Sequence, residues 1–137
     1  MHTEGTLLPE TVGEASEHYE ALGSTAQVVV KSVAKSMDFD REEYDERVTS
    51  EVVETAREAM FGEQLQVTVG TRAAFDDWRE SVETDVEVLG ADTVDNVVWH
   101  APPFAEQALA ATFQQEEAAA VATLRRQAVA RIYQDVV

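Results

Sequence analysis

Apolar residues recur at intervals of three and four through the first half of the chain and at intervals of two through much of the second. Val12, Ala15, Tyr19 and Leu22 share one helical face. Thr11 with Glu14 three positions later has the form of a capping box, and Gly23 supplies a stop. Ser24 with Gln27 repeats the box, and Ala26, Val30, Val33 and Met37 carry a second helix to the turn at Asp38-Phe39-Asp40. Asp40 caps a third segment from Arg41 to Phe61, with Tyr44, Val48, Val52, Ala56 and Met60 at successive i+4 positions and Gly62 just beyond its end. Ser50 followed by Glu51 suits a fresh N-cap with an acid in the first turn, so one long helix and two shorter ones are both admissible there.

At Gln64 the period changes. Leu65, Val67 and Val69 alternate with Gln64, Gln66 and Thr68, which predicts a strand with one buried face. Thr71 caps a short helix holding Ala74, Phe75 and Trp78. Val86 and Val88 mark a second strand that ends at Gly90, and Val97 to Trp99 a third that ends at Pro102-Pro103. These two are expected to form a hairpin through a longer loop containing Gly90, Asp92, Asp95 and Asn96. Between Phe104 and Phe113 alanines favour helix while Leu109, Ala111 and Phe113 alternate, and a strand is chosen. A final helix spans about Gln115 to Gln134, apolar at Val121, Leu124, Ala128 and Ile132.

The expected fold is α+β in one domain, residues 1–137: N-terminal helices, a small, mostly antiparallel sheet of three to four strands, and a C-terminal helix packed on the sheet. With 45% hydrophobic residues the chain can fill one core. Cysteine is absent, which excludes disulfides, thiolate metal sites and a cysteine nucleophile together. No apolar run approaches the ~20 residues that span a bilayer, and Met1-His2-Thr3-Glu4 lacks the basic and apolar regions of a leader, so no membrane association and a cytoplasmic address are expected.

Charge changes the picture more than any motif. The 27 Asp and Glu against 10 Lys and Arg give a net charge of -17. Carboxylates that repel across a whole surface oppose compaction in dilute buffer, and salt relieves them. Nucleic acid is disfavoured as a partner, because phosphate binding needs clustered cations. Asp40 to Glu46 carries five carboxylates, which argues against a DNA-reading helix there. The imbalance is uneven: residues 1–63 carry a net -10, residues 64–113 a net -7, and residues 114–137 none. From Ala118 to Gln134 there is no acid at all.

A helix that escapes the acidic coat is expected to be covered, either as a central core helix or by a second copy or protein partner. Its arginines are the candidate contacts for an anion or a partner. Arg125 projects into the apolar stripe, Arg131 flanks Leu124, and Arg126 points to the opposite side. A buried guanidinium needs a carboxylate, and Asp45, Glu46 and Glu54 are candidates.

His100, after Trp99 at a strand end, is the one histidine beyond the first eighteen residues. It is a candidate general base without a nucleophile or orienting carboxylate near it in sequence, so a packed or capping role is favoured. Glu14 and His18 share a helical face, but two ligands are not a metal site. Val67 to Arg72 has the strand-turn-helix form of a phosphate site without its glycines, and a plain N-cap accounts for it. No catalytic residue, metal ligand set or cofactor is therefore assigned.

At Phe39-Asp40-Arg41-Glu42-Glu43-Tyr44-Asp45-Glu46-Arg47-Val48, and again at Ala122-Thr123-Leu124-Arg125-Arg126-Gln127-Ala128, the chain resembles a small haloarchaeal family of unknown function. Only Lys31 and Lys35 are lysines, and low lysine with abundant acid is similar to the haloarchaeal signature of a potassium-rich cytoplasm. The resemblance implies salt adaptation and transfers no activity, cofactor or site. The residues favour a non-enzymatic interaction or regulatory module, with a homodimer through the last helix as one form. The alternative is a binding protein or enzyme for an anionic small molecule using His100 and the C-terminal arginines.

Overall fold

A computed structural model describes residues 1–91 and 93–137. Its elements in chain order are β1 (His2–Glu4), α1 (Val12–Ser36), α2 (Arg41–Arg47), α3 (Ser50–Gln64), β2 (Val67–Thr71), α4 (Arg72–Ser81), β3 (Asp85–Leu89), β4 (Asn96–His100), β5 (Gln107–Phe113) and α5 (Glu117–Ala128), which runs into a π-helical turn at Val129–Tyr133. The α+β class holds, with the C-terminal helix against the sheet.

The sheet has five strands in the order β1-β2-β4-β5-β3. β1 with β2, β2 with β4 and β4 with β5 are antiparallel, while β3 lies parallel to β5. One face carries Val67, Val69, Val98, Leu109 and Ala111 into the main core against Phe61, Leu124 and Tyr133. The other face presents Val97, Trp99 and Ala110 to Phe75 and Trp78 of α4. Alternate residues of β4 thus serve opposite layers, as a pleated strand covered on both sides requires.

Several boundaries depart from the sequence expectation. α1 is one helix rather than two, since Gly23 lies inside it and gives room to the Arg57 guanidinium, which donates to the Tyr19 carbonyl at 2.8 Å. It ends instead where Asp38 takes a left-handed conformation at φ 58°. The segment after Asp40 is two helices, capped by Asp40 on the Glu43 amide at 2.8 Å and by Thr49, not Ser50, on the Val52 amide at 3.2 Å. Gly62 is likewise inside α3, where its missing side chain lets Val129 approach.

Tyr19 against Phe61 and Gly23 against Arg57 set α1 and α3 antiparallel, so the start of α3 at Ser50 falls level with Val30. The last two turns of α1 extend past that partner. Val33 and Met37, expected on a buried face, are therefore 53% and 57% exposed.

The expected hairpin of β3 and β4 does not form; β5 lies between them. Of its expected loop residues, Asp92 lies outside the described residues. Gly90 accommodates the crossing. At φ 102° it turns the chain over the end of β5, where a Cβ would come within 2.2 Å of the Thr112 hydroxyl. The strand chosen for residues 104–113 is present as β5, and its alanines suit a central strand paired on both edges. β1 was not expected and accounts for the fifth strand. It is three residues long, too short to show a period.

Candidate functional groove between α3 and α5

The acid-free segment is covered on one side only. Val121, Leu124, Ala128, Ile132 and Tyr133 enter the core, while Ala118, Ala122, Arg126 and Ala130 face outward. Those outward residues form one wall of a groove of about 870 Å3. The other wall is α3, and the groove reaches Glu4 of β1.

Small side chains open this groove. Gly62 is buried in α3, and a Cβ there would lie 3.2 Å from the Val129 side chain, so a larger residue would require Val129 to shift. Ala59 on α3 and Ala122 and Ala130 on the α5 side keep the floor shallow and apolar. Charge is divided between the walls. Glu54, Glu58 and Glu63 line the α3 side, and Arg125 and Arg126 line the α5 side.

Only part of this charge is used internally. Glu54 accepts the Tyr19 hydroxyl and lies 3.4 Å from Arg57. Burial, followed by that bond to Glu54, holds the Tyr19 phenol above its ordinary range. Arg125 donates its Nε–H to the Leu65 carbonyl at 3.1 Å, and its guanidinium lies where a side chain on Gly5 would otherwise be. Among the described residues, Glu58, Glu63 and Arg126 have neither an ion-pair nor a hydrogen-bond partner on their side chains.

The structure divides the sequence candidates. Arg125 and Arg126 share the groove, whereas Arg131 lies at the opposite edge, paired with Glu87 of β3 and donating to Gln127 Oε1 at 3.1 Å. Glu87 was not among the expected carboxylates. Asp45 and Glu46 remain exposed on α2, Glu54 serves Arg57, and Arg125 takes a backbone carbonyl instead.

His100 does not line the groove. It is 1% exposed, with Nδ1 2.7 Å from the Gln66 carbonyl and Nε2 2.7 Å from the Tyr133 hydroxyl. A carbonyl can only accept, so Nδ1 carries the proton and Nε2 accepts from Tyr133. Burial, reinforced by nearby Arg125, pushes the imidazole pKa down to about 4 despite the bond to Gln66. Closed off from the groove and from solvent, the neutral ring serves as a packed polar link between Gln66 and Tyr133.

The other singled-out residues have structural work. His18 bonds Gln64 Oε1 and packs edge-on to Phe61, tying α1 to α3, while Glu14 accepts from the Glu10 amide at 3.2 Å. Thr71 caps the Ala74 amide at 3.1 Å, and Arg72 donates to the Val94 and Ala91 carbonyls, so the start of α4 is closed by protein. Sequence reasoning missed that β1 brings His2 and Glu4 beside Glu117 of α5. The available signal was the spacing of His2 and Glu4, which puts both on one face of a strand. Among the described residues no helix is long and apolar enough to cross a membrane.

No curated protein and no solved structure matches the chain. A protein-family model does match, described as a family of unknown function (DUF5809), and it covers residues 6–134.

Proposed function

Because the chain belongs to this family of unknown function, whose description assigns no chemistry, we propose a reading from the groove: a non-enzymatic interaction module that docks a second copy of itself between α3 and α5. The observation that carries it is the division of sign across an apolar floor, carboxylates on α3 and arginines on α5, with Glu58, Glu63 and Arg126 unspent inside the chain. A two-fold axis along the groove sets the acid wall of each copy against the basic wall of the other, the self-complementary arrangement that a symmetric dimer needs. Ala118 and Ala122 allow close approach of the facing backbones. The helix without acids then meets protein rather than water on its open side.

The remaining acidic surface fits a concentrated-salt cytoplasm, where unpaired carboxylates stay solvated and their repulsion is screened. The competing reading is an anionic small molecule held by Arg125 and Arg126. It is favoured by the single backbone partner of the half-buried Arg125 guanidinium, but it proceeds without His100.

Light scattering at the lowest potassium chloride concentration that keeps the chain folded tests the dimer. The wild type is expected at twice the chain mass, Arg126→Glu at the chain mass, and the double variant Glu58→Arg with Arg126→Glu back at twice the chain mass. A wild type that stays monomeric at millimolar concentration removes the reading.

A further inference from the structure

We propose that His2, Glu4 and Glu117 bind one first-row divalent cation, with zinc-like preferences, that ties the edge strand β1 to the start of α5. Pairing of β1 with β2 in the register His2↔Val69 and Glu4↔Val67 fixes the two β1 residues side by side on one strand face. Glu117, in the first turn of α5, comes to meet them from the far end of the chain. α5 begins without a side-chain cap, and the Glu117 carboxylate has no hydrogen-bond partner among the described residues.

The distances fit a cation better than they fit direct contact. His2 Nε2 is 3.4 Å from Glu4 Oε2 and 3.6 Å from Glu117 Oε2, and the three donor atoms all lie within 4.8 Å of one another. Hydrogen bonds to a carboxylate close at about 2.7–3.2 Å, so the imidazole satisfies neither acid. Ligands about 2.0–2.2 Å from a tetrahedral zinc are roughly 3.3–3.6 Å from each other, the spacing His2 Nε2 keeps from each carboxylate.

A second observation comes from Glu4 itself. Its Oε2 is shut off from solvent and has no hydrogen-bond partner among the described residues. A carboxylate oxygen in that condition is costly, and an ion at the centre of the three donors supplies the missing partner. One neutral imidazole and two carboxylates neutralise a dication, and the side chains are open enough, at 53%, 42% and 44% exposure, for water to complete the coordination. Imidazole among the ligands favours zinc and its neighbours over magnesium or calcium.

The test uses the full chain without a tag, stripped with a chelator and returned to molar potassium chloride. Zinc chloride titrated by calorimetry is expected to saturate at one equivalent, with millimolar magnesium failing to compete, and to raise the melting temperature. His2→Gln and Glu117→Gln are each expected to weaken zinc by at least about tenfold and to remove the thermal shift, whereas Asp45→Asn, on the exposed face of α2, leaves both unchanged. Absence of saturable binding overturns the proposal. So does undiminished binding by Glu117→Gln, which would mean chelation by the N-terminal amine and His2 alone, and so does equal weakening by Asp45→Asn, which would mean diffuse attraction to the acidic surface.

Discussion

The Tyr133 hydroxyl donates to His100 Nε2 at 2.7 Å and so fastens the π-helical turn after α5 to the end of β4. Both residues are buried, and the imidazole passes the chain of bonds on to the Gln66 carbonyl. Tyr133→Phe leaves Nε2 without its donor and is expected to cost about 1–3 kcal/mol, the usual consequence of orphaning a buried acceptor. Urea unfolding near neutral pH measures it.

The same link makes stability depend on pH. His100 is neutral in the folded chain until about pH 4, while in the unfolded chain it takes up a proton near its ordinary 6.5. Between those values the unfolded state holds the extra proton. The stabilisation is therefore complete above about pH 6.5 and is lost as the pH falls towards 4, a loss of roughly 3 kcal/mol. Carboxylates titrate at the lower end of this window, so the diagnostic quantity is the difference between wild type and His100→Gln. That difference is expected to shrink steadily from pH 7 to pH 4.5, and a constant difference would contradict the assignment.

Two glycines have opposite expectations. Gly23 lies within α1, where an added Cβ would stand 3.3 Å from the Arg57 guanidinium, held at the Tyr19 carbonyl, and so requires a shift of only about a few tenths of an ångström. Gly23→Ala is expected to gain about 0.5 kcal/mol from helix propensity. Gly5 has φ 90°, and a Cβ there would lie 2.4 Å from the Leu65 carbonyl oxygen and 2.8 Å from the Arg125 guanidinium. Gly5→Ala is expected to lose about 2 kcal/mol or more, because neither the backbone nor the anchored arginine can withdraw. Paired denaturation curves decide both.

The exposed stripe at the end of α1 gives a further contrast. Val33 and Met37 extend the stripe that Ala15, Tyr19, Leu22 and Ala26 bury, but they stand exposed to solvent while Ala34 between them is buried. Val33→Ser and Met37→Ser are expected to change stability by no more than about 0.5 kcal/mol each. Leu124→Ala, with its side chain wholly buried, is expected to cost about 2–5 kcal/mol.

What could be read from sequence was what is local. Thr11, Asp40 and Thr71 cap helices because a hydroxyl or carboxylate three residues before an amide is a short-range arrangement. Gly23 and Gly62 misled for the complementary reason. Each has the sequence setting of a stop, whereas each makes room for a residue distant in sequence, Arg57 or Val129. The apolar pattern found β3, β4 and β5 but could not order them, since insertion of β5 between the other two rests on pairings that alternation does not encode, Val88 with Ala110 and Val98 with Ala111. The groove was legible only as a shortage of acids on one helix, because its opposite wall comes from α3, and the pairing of Arg131 with Glu87 spans 44 positions.

Salt should act most where carboxylates crowd without partners. Among the described residues, the arginine–carboxylate ion pairs are Arg57–Glu54 and Arg131–Glu87, against 27 acids in the sequence, so repulsion dominates the surface. The Debye length falls from roughly 10 Å at 0.1 M to roughly 3 Å at 1 M, so the urea midpoint is expected to rise with potassium chloride and then level off. α2 shows the effect in miniature. Glu42 and Glu43 sit in its first turn, where they favour the helix dipole, whereas Glu46 sits near its C-terminal end and opposes it. Glu46→Gln is therefore expected to raise the midpoint in 0.2 M salt and to leave it unchanged in 2 M, while Glu43→Gln lowers it in dilute salt by weakening the first turn. Equal responses of the two variants would show that total charge alone matters, and equal wild-type midpoints at the two salt concentrations would remove the electrostatic account.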